Sequence, residues 1–124
     1  MKLKEVIDQV TELKPSQYQN TTFATWISLL DSQIYKECIS KYEGTGVDEE
    51  PGPYDATADA ETVLLVPEPY SELYVFYVSA QIDLWNAEIS RYNNNMAMYN
   101  TRLSELKVWY NGTHLRKQTA IIEI

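Results

Sequence analysis

The stretch from Tyr70 to Tyr92, YSELYVFYVSAQIDLWNAEISRY, carries two adjacent lines of apolar side chains at helical spacing. The first line consists of Leu73, Tyr77, Ala80, Leu84 and Ala87. The second consists of Tyr74, Val78, Ile82, Trp85, Ile89 and Tyr92. Together they are wider than one packing face needs, because a surface helix usually buries a single apolar stripe. The pattern therefore predicts a central helix over 70–92 that contacts more than one neighbour.

Three further helices are predicted around this one, over 2–13, 22–42 and 94–110. Each has apolar residues every three or four positions, which is typical of an amphipathic helix. Pro15 ends the first helix, and Asn111-Gly112 ends the last. The positions expected to form the core are Val6, Ile7, Val10, Trp26, Ile27, Leu30, Ile34, Tyr77, Leu84, Leu103 and Leu106.

The segments between and after these helices differ from them in composition. Residues 43–60 include six acidic residues, three glycines and two prolines, with no apolar periodicity. This composition predicts a long acidic surface loop that is dispensable for folding and needed for assembly or docking. Thr62–Val66 is expected to be extended, and Thr119–Ile124 has a strand-like composition within a C-terminal arm over 113–124. The arm is expected to pair with Thr62–Val66 of its own chain, with a neighbouring copy or with another protein, preferably with another chain.

The length and charge of the chain limit its class. Its 124 residues suit one domain over 1–124, so the prediction is an all-α, four-helix bundle-like domain. The net charge of −8 argues against tight binding to nucleic acid, because no basic run exceeds Arg116–Lys117. The single cysteine, Cys38, excludes an intrachain disulfide and is expected to be buried. Without a signal-like or membrane-spanning stretch, the chain is expected to fold in a reducing cytoplasm and to have no membrane partner.

No residue pattern indicates catalysis, a metal site or a cofactor. The only histidine, His114, has no second histidine or cysteine nearby in the sequence to complete a zinc site. Gly44-Thr-Gly46 lacks the context of a phosphate-binding loop, and the acids of 43–60 lack EF-hand spacing. Asp83 and Glu88 do not share a helical face. The sequence therefore predicts a protein that is not an enzyme.

The ten tyrosines are the compositional outlier. Tyrosine combines a large contact area with a polar group and is enriched where proteins meet. The candidate interface residues are Tyr70, Tyr74, Trp85, Tyr92, Trp109, Ile121, Ile122 and Ile124.

The chain resembles a family of small tailed-phage and prophage proteins encoded between the capsid and tail genes. The resemblance lies in Val66-Pro-Glu-Pro-Tyr-Ser-Glu-Leu-Tyr74, Ala80-Gln-Ile-Asp83, Asn86-Ala-Glu88 and Tyr92-Asn-Asn94. The N-terminal part is similar too, through Leu13-Lys-Pro-Ser-Gln-Tyr18, Trp26 and Leu29-Leu-Asp-Ser-Gln-Ile-Tyr35. The resemblance covers nearly the whole chain and is weakest in 43–60.

This resemblance implies a head–tail connector, or adaptor. Such a virion protein is a helical subunit that forms a homo-oligomeric ring beneath the portal and presents a docking surface to the tail. Its partners would be further copies of itself, the portal protein and tail proteins, while DNA passes nearby without tight binding. The alternatives are another small tail-completion or assembly protein and a monomeric cytoplasmic protein-binding module that uses the aromatic helix as a peptide groove.

Overall fold

The computed structural model describes residues 1–117, and this range contains four α-helices and no β-strand. They are α1 (Leu3–Leu13), α2 (Asn20–Glu37), α3 (Glu72–Trp85) and α4 (Ile89–Thr113). A short 3-10 turn, Ile39–Lys41, follows α2. The predicted all-α class is confirmed. The predicted strand-like segment Thr119–Ile124 lies outside the described residues.

Helix α3 is the centre of the molecule, as its double apolar line predicts. It packs against α1, α2 and α4, and with α4 it forms an antiparallel hairpin. Along the hairpin, the ring centroids of Tyr77 and Tyr99 lie 5.2 Å apart, and those of Tyr70 and Trp109 lie 6.0 Å apart. Two polar side chains of α3, Ser79 and Asp83, are buried as well.

A buried carboxylate, Asp31 of α2, joins three parts of the chain. Its Oδ1 accepts a hydrogen bond from the Tyr74 hydroxyl at 2.6 Å. Its Oδ2 accepts bonds from the Tyr54 hydroxyl at 2.7 Å and from the Leu65 amide at 3.2 Å. The Tyr74 hydroxyl in turn accepts the Val66 amide at 2.8 Å. Both oxygens of a fully buried carboxylate therefore have hydrogen-bond donors.

The same contacts bear on two expectations. Tyr74 is a candidate interface residue in the sequence, but it is 0% exposed and cannot reach a partner from this position. Residues 43–60 contact α2, because Tyr54 binds Asp31 through its hydroxyl and Ser28 Oγ through its amide at 2.8 Å. Earlier in this segment, Glu50 contacts Ser32 and Lys36. The loop is therefore bonded to α2, and its dispensability for folding stays a prediction.

The extended segment before α3 runs beside the N-terminal residues. The Leu3 amide donates to the Thr62 carbonyl at 3.0 Å, and the Leu64 amide donates to the Met1 carbonyl at 2.9 Å. Lys2 and Val63 form an isolated antiparallel bridge here, not a strand of a sheet. One edge of Thr62–Val66 is therefore already paired within the chain.

The predicted core is confirmed at most positions and wrong at one. The positions that are buried are Val6, Ile7, Val10, Ile27, Leu30, Ile34 and Leu106. Trp26, Tyr77 and Leu103 pack against this core while partly exposed. Leu84 is 41% exposed in the last turn of α3, one residue before the helix ends. Cys38 is buried as expected, and burial raises the pKa of its thiol.

These burial differences give a stability prediction. Leu30→Ala should lower the free energy of unfolding by roughly 2–5 kcal/mol, because it leaves a cavity in a fully buried site. Leu84→Ala should cost only about 1 kcal/mol, because water already reaches much of that side chain. Urea denaturation of the two variants measures both values. An equal loss of unfolding free energy in the two variants would contradict the partly exposed position of Leu84.

The Asp31 cluster gives a prediction about pH. Burial raises the pKa of Asp31 above its ordinary value, although the Tyr74 and Tyr54 hydroxyls oppose this rise by bonding the charged form. The contribution of this carboxyl to stability is therefore fully present below its unfolded pKa, about 3.9, and is lost as pH rises through the folded value.

Comparison of wild type with Asp31→Asn isolates that contribution, since other carboxyl groups titrate in both proteins. The unfolding free energy of wild type minus that of the variant should fall as pH rises from about 4. It should become constant once Asp31 is ionised. Urea denaturation over a pH series measures the difference, and a difference that grows with pH would contradict the assignment.

Candidate protein-binding surfaces

The turn between α3 and α4 displays large apolar side chains to solvent. Leu84, Trp85 and Ile89 are 41%, 67% and 56% exposed, and together they define the hairpin-tip surface. Tyr92 lies one turn further along α4 and is partly exposed. Exposed apolar side chains grouped in this way are typical of sites where proteins bind other proteins.

The local backbone explains why the turn occurs here. The Ala87 amide bonds the Leu84 carbonyl at 3.1 Å, and the Glu88 amide bonds the Asp83 carbonyl at 2.8 Å. These two bonds form a Schellman motif, with Ala87 at the left-handed position, φ 58°. The continuous helix predicted over 70–92 is therefore wrong at residues 86–88, and Ile89–Tyr92 belong to α4.

The hairpin tip is held by a second buried carboxylate, Asp83. Lys14 Nζ lies 2.6 Å from Asp83 Oδ1, and the Asn95 side-chain amide donates to Oδ2 at 2.8 Å. Lys14 follows α1 and Asn95 belongs to α4, so one carboxylate on α3 connects three helical regions. The Asn86 Oδ1 atom accepts the Tyr18 hydroxyl at 3.2 Å, which adds the α1–α2 connection. The apolar hairpin tip is therefore held in place by contacts from the α1–α2 connection and from α4.

A second exposed apolar surface lies at the other end of the hairpin. A groove of about 530 Å³ is lined by Tyr70, Ser104, Glu105, Val108 and Trp109, and we call it the Trp109 groove. The Tyr70 and Trp109 rings contact each other, and Val108 is 72% exposed. About 20 helical residues separate Ile89 from Trp109, which corresponds to roughly 30 Å at about 1.5 Å per residue. The two surfaces are therefore far apart on one rigid element.

The structure separates the candidate interface residues into groups. Trp85 and Tyr92 are at or beside the hairpin tip, and Tyr70 and Trp109 line the groove. Tyr74 is buried, while Ile121, Ile122 and Ile124 lie outside the described residues. Ile89 and Val108 are missing from the predicted set. Ile89 lies in an apolar line of the predicted central helix, which indicates burial. Val108 lies outside the apolar spacing of its helix, and this position is the signal that could have identified it as exposed.

The described residues contain no grouping typical of a metal site. Within 1–117, no cluster of three or more His, Cys, Asp or Glu side chains is placed to hold a metal ion. His114 instead lies among aromatic rings, 5.0 Å from Tyr110 and 5.5 Å from Trp109 between centroids. None of the helices in this part of the chain has the combination of length and apolar character required to cross a membrane.

A scan of protein-family models and searches of curated proteins and of solved structures gave no match to this chain.

The contact with Asp83 predicts that Lys14 contributes more to the free energy of unfolding than a partly exposed lysine usually does. Lys14→Ala should lower the unfolding free energy by about 2–3 kcal/mol, because it leaves a buried carboxylate without its cation. Lys4→Ala is the matched control, since Lys4 is exposed on α1 and should cost under about 0.5 kcal/mol. Chemical denaturation measures both.

A second variant tests the cause. Adding Asp83→Asn to Lys14→Ala should recover part of the lost stability, because it removes the unpaired buried charge. If the double variant is less stable than Lys14→Ala alone, the cost does not come from the unpaired charge.

Proposed function

We propose that this chain is a head–tail connector subunit of a tailed phage, a bundle-like, non-enzymatic protein whose copies form a ring between portal and tail. The observation that carries the proposal is the presence of two exposed apolar surfaces at opposite ends of the braced α3–α4 hairpin. A subunit of this kind must bind more than one neighbour at once. Two separate surfaces on one rigid element suit that requirement.

Ring geometry gives this arrangement a physical reason. In a ring, each subunit contacts its two neighbours through different patches, so the contact is heterologous. Such a subunit also needs a surface for the portal or the tail. The hairpin tip and the Trp109 groove are two apolar patches of different composition, which favours different partners for each.

The sequence resemblance and the charge support the same proposal. The resemblance to small proteins encoded between capsid and tail genes extends over nearly the whole chain. A net charge of −8 suits the wall of a channel through which DNA slides without being held, because carboxylates repel phosphates. In this proposal the protein is made in the host cytoplasm and ends in the virion. It needs no cofactor and no membrane.

Two alternatives make different predictions. Another small tail-completion or assembly protein would use the same surfaces without forming a ring. A monomeric protein-binding module is favoured by one specific feature, the Trp109 groove, whose aromatic walls suit a peptide. Such a module would remain monomeric at every concentration, and light scattering distinguishes it from a ring subunit.

The test measures self-association by light scattering from micromolar to near-millimolar protein. The wild-type chain should form a larger species of defined mass, and Trp85→Ser and Trp109→Ser should each weaken its formation by roughly tenfold or more. Leu29→Ser is the matched control, because Leu29 is 63% exposed on α2 and lines neither surface. Circular dichroism checks that each variant is folded.

A monomeric wild-type protein throughout this range would contradict the ring. The phage role has a separate test. A phage that lacks this chain should accumulate DNA-filled heads without tails, and complementation with the wild-type chain, but not with Trp85→Ser, should restore tailed particles. Normal tailing without the chain would contradict the connector role.

A further inference from the structure

A groove of about 430 Å³ lies beside the C-terminal end of α4 and is lined by three cationic side chains, Lys41, Lys107 and Arg116. We call it the basic groove. Backbone bonds hold its walls together, from the Glu43 amide to the Leu115 carbonyl at 2.7 Å and from the Lys117 amide to the Lys41 carbonyl at 2.8 Å. The Arg116 guanidinium lies 5.6 Å from the centre of the Tyr42 ring. The backbone at Lys41 is therefore held next to the backbone at Arg116, and the Arg116 side chain is placed by its contact with Tyr42.

These cations differ from the other basic residues of the chain. Most of the others form ion pairs with carboxylates; they are Lys2, Lys14, Lys36, Arg91 and Arg102. Within residues 1–117, no carboxylate lies within 4.0 Å of the amino or guanidinium groups of Lys41, Lys107 or Arg116. Among residues 1–117, Glu37 is the one acidic residue that lines the groove. In an acidic protein, three clustered cations that form no ion pair with the described residues are suited to an anionic partner.

The chain itself carries a segment of the opposite charge. The range 43–90 contains eleven acidic residues and no lysine or arginine. Within it, Asp48 and Glu49 are exposed and form no ion pair in the described part of the chain. The Tyr35 hydroxyl donates to the Asp48 carbonyl at 3.0 Å, and Lys36 lies 3.4 Å from Glu50. These contacts with α2 therefore hold the backbone that carries the exposed Asp48 and Glu49 carboxylates.

We propose that the basic groove of one copy binds the Asp48–Glu49 segment of a neighbouring copy. This inference rests on the proposed ring and assigns one of its contacts. Each copy has one groove and one acidic segment, so each can bind a neighbour on either side. A contact of this heterologous kind repeats from copy to copy and closes into a ring when the rotation permits.

Charge reversal on either side tests the contact. The groove variant is Lys41→Glu with Lys107→Glu, and the acidic variant is Asp48→Lys with Glu49→Lys. All four side chains are exposed, so the variants should fold, and circular dichroism checks this. Each variant alone should weaken self-association by roughly tenfold or more, and the chain with all four changes should regain it. A lysine reversal elsewhere, Lys4→Glu, should have little effect.

The outcomes separate the contact from the proposed function. If wild type forms the ring and neither variant weakens it, the groove contact is wrong while the ring remains. If only the groove variant weakens assembly and the four changes do not restore it, the groove binds something else and the inference is overturned.

Two further measurements test DNA and residues 118–124 as alternative occupants of the basic groove. Binding of a short DNA duplex to wild type but not to the groove variant would assign the groove to nucleic acid and overturn the inference. A chain ending at Lys117 that loses assembly, together with an acidic variant that keeps it, would assign the groove to residues 118–124 and also overturn it. A protein that is monomeric at all concentrations overturns both the contact and the ring.

Discussion

The carboxylate of Asp31 is the interaction on which the arrangement of the chain depends. Helices α2 and α3 are joined by more than thirty residues that contain only a 3-10 turn, so helix ladders leave many backbone groups there unpaired. Asp31 accepts the Leu65 amide, and Tyr74, which is bonded to Asp31, accepts the Val66 amide. A buried amide without such a partner would cost about 1–3 kcal/mol. The carboxylate therefore holds the long connection, α2 and α3 in one arrangement.

Asp83 has the same function at the other end of α3. Asp83 binds Lys14, which follows α1, and Asn95 of α4. In the same way, Asp31 binds Tyr54 of the long connection and Tyr74 of α3. Both carboxylates are fully buried, and each is bound by groups from different parts of the chain. A buried carboxylate is stable only when those groups are correctly placed. These two residues thus restrict the packing of the helices more narrowly than apolar contacts alone, which tolerate small shifts.

The sequence predicted what depends on apolar periodicity and missed what depends on buried polar groups. Four helices, the central position of α3 and most of the core follow from spacing alone. Asp31 and Asp83 could not be predicted to be buried, because a polar residue in a helical pattern normally indicates the solvent face. Tyr74 is a candidate interface residue because tyrosine is enriched where proteins meet, and nothing in the local sequence shows that its hydroxyl reaches a carboxylate 43 residues away. The end of α3 was missed because Ala87, not glycine, occupies the left-handed position.

The same polar contacts explain how an exposed apolar surface is maintained in this fold. Side chains such as Trp85 and Ile89 would gain free energy by folding back onto the core, since burial of a large apolar side chain is worth about 1.5–3 kcal/mol. The Schellman turn and the bonds from Lys14, Asn95 and Tyr18 fix the hairpin tip and prevent that movement. Because these bonds hold the tip in place before any partner binds, the tip itself loses little conformational entropy when a partner covers it. This preorganisation suits the proposed role of the tip in protein binding.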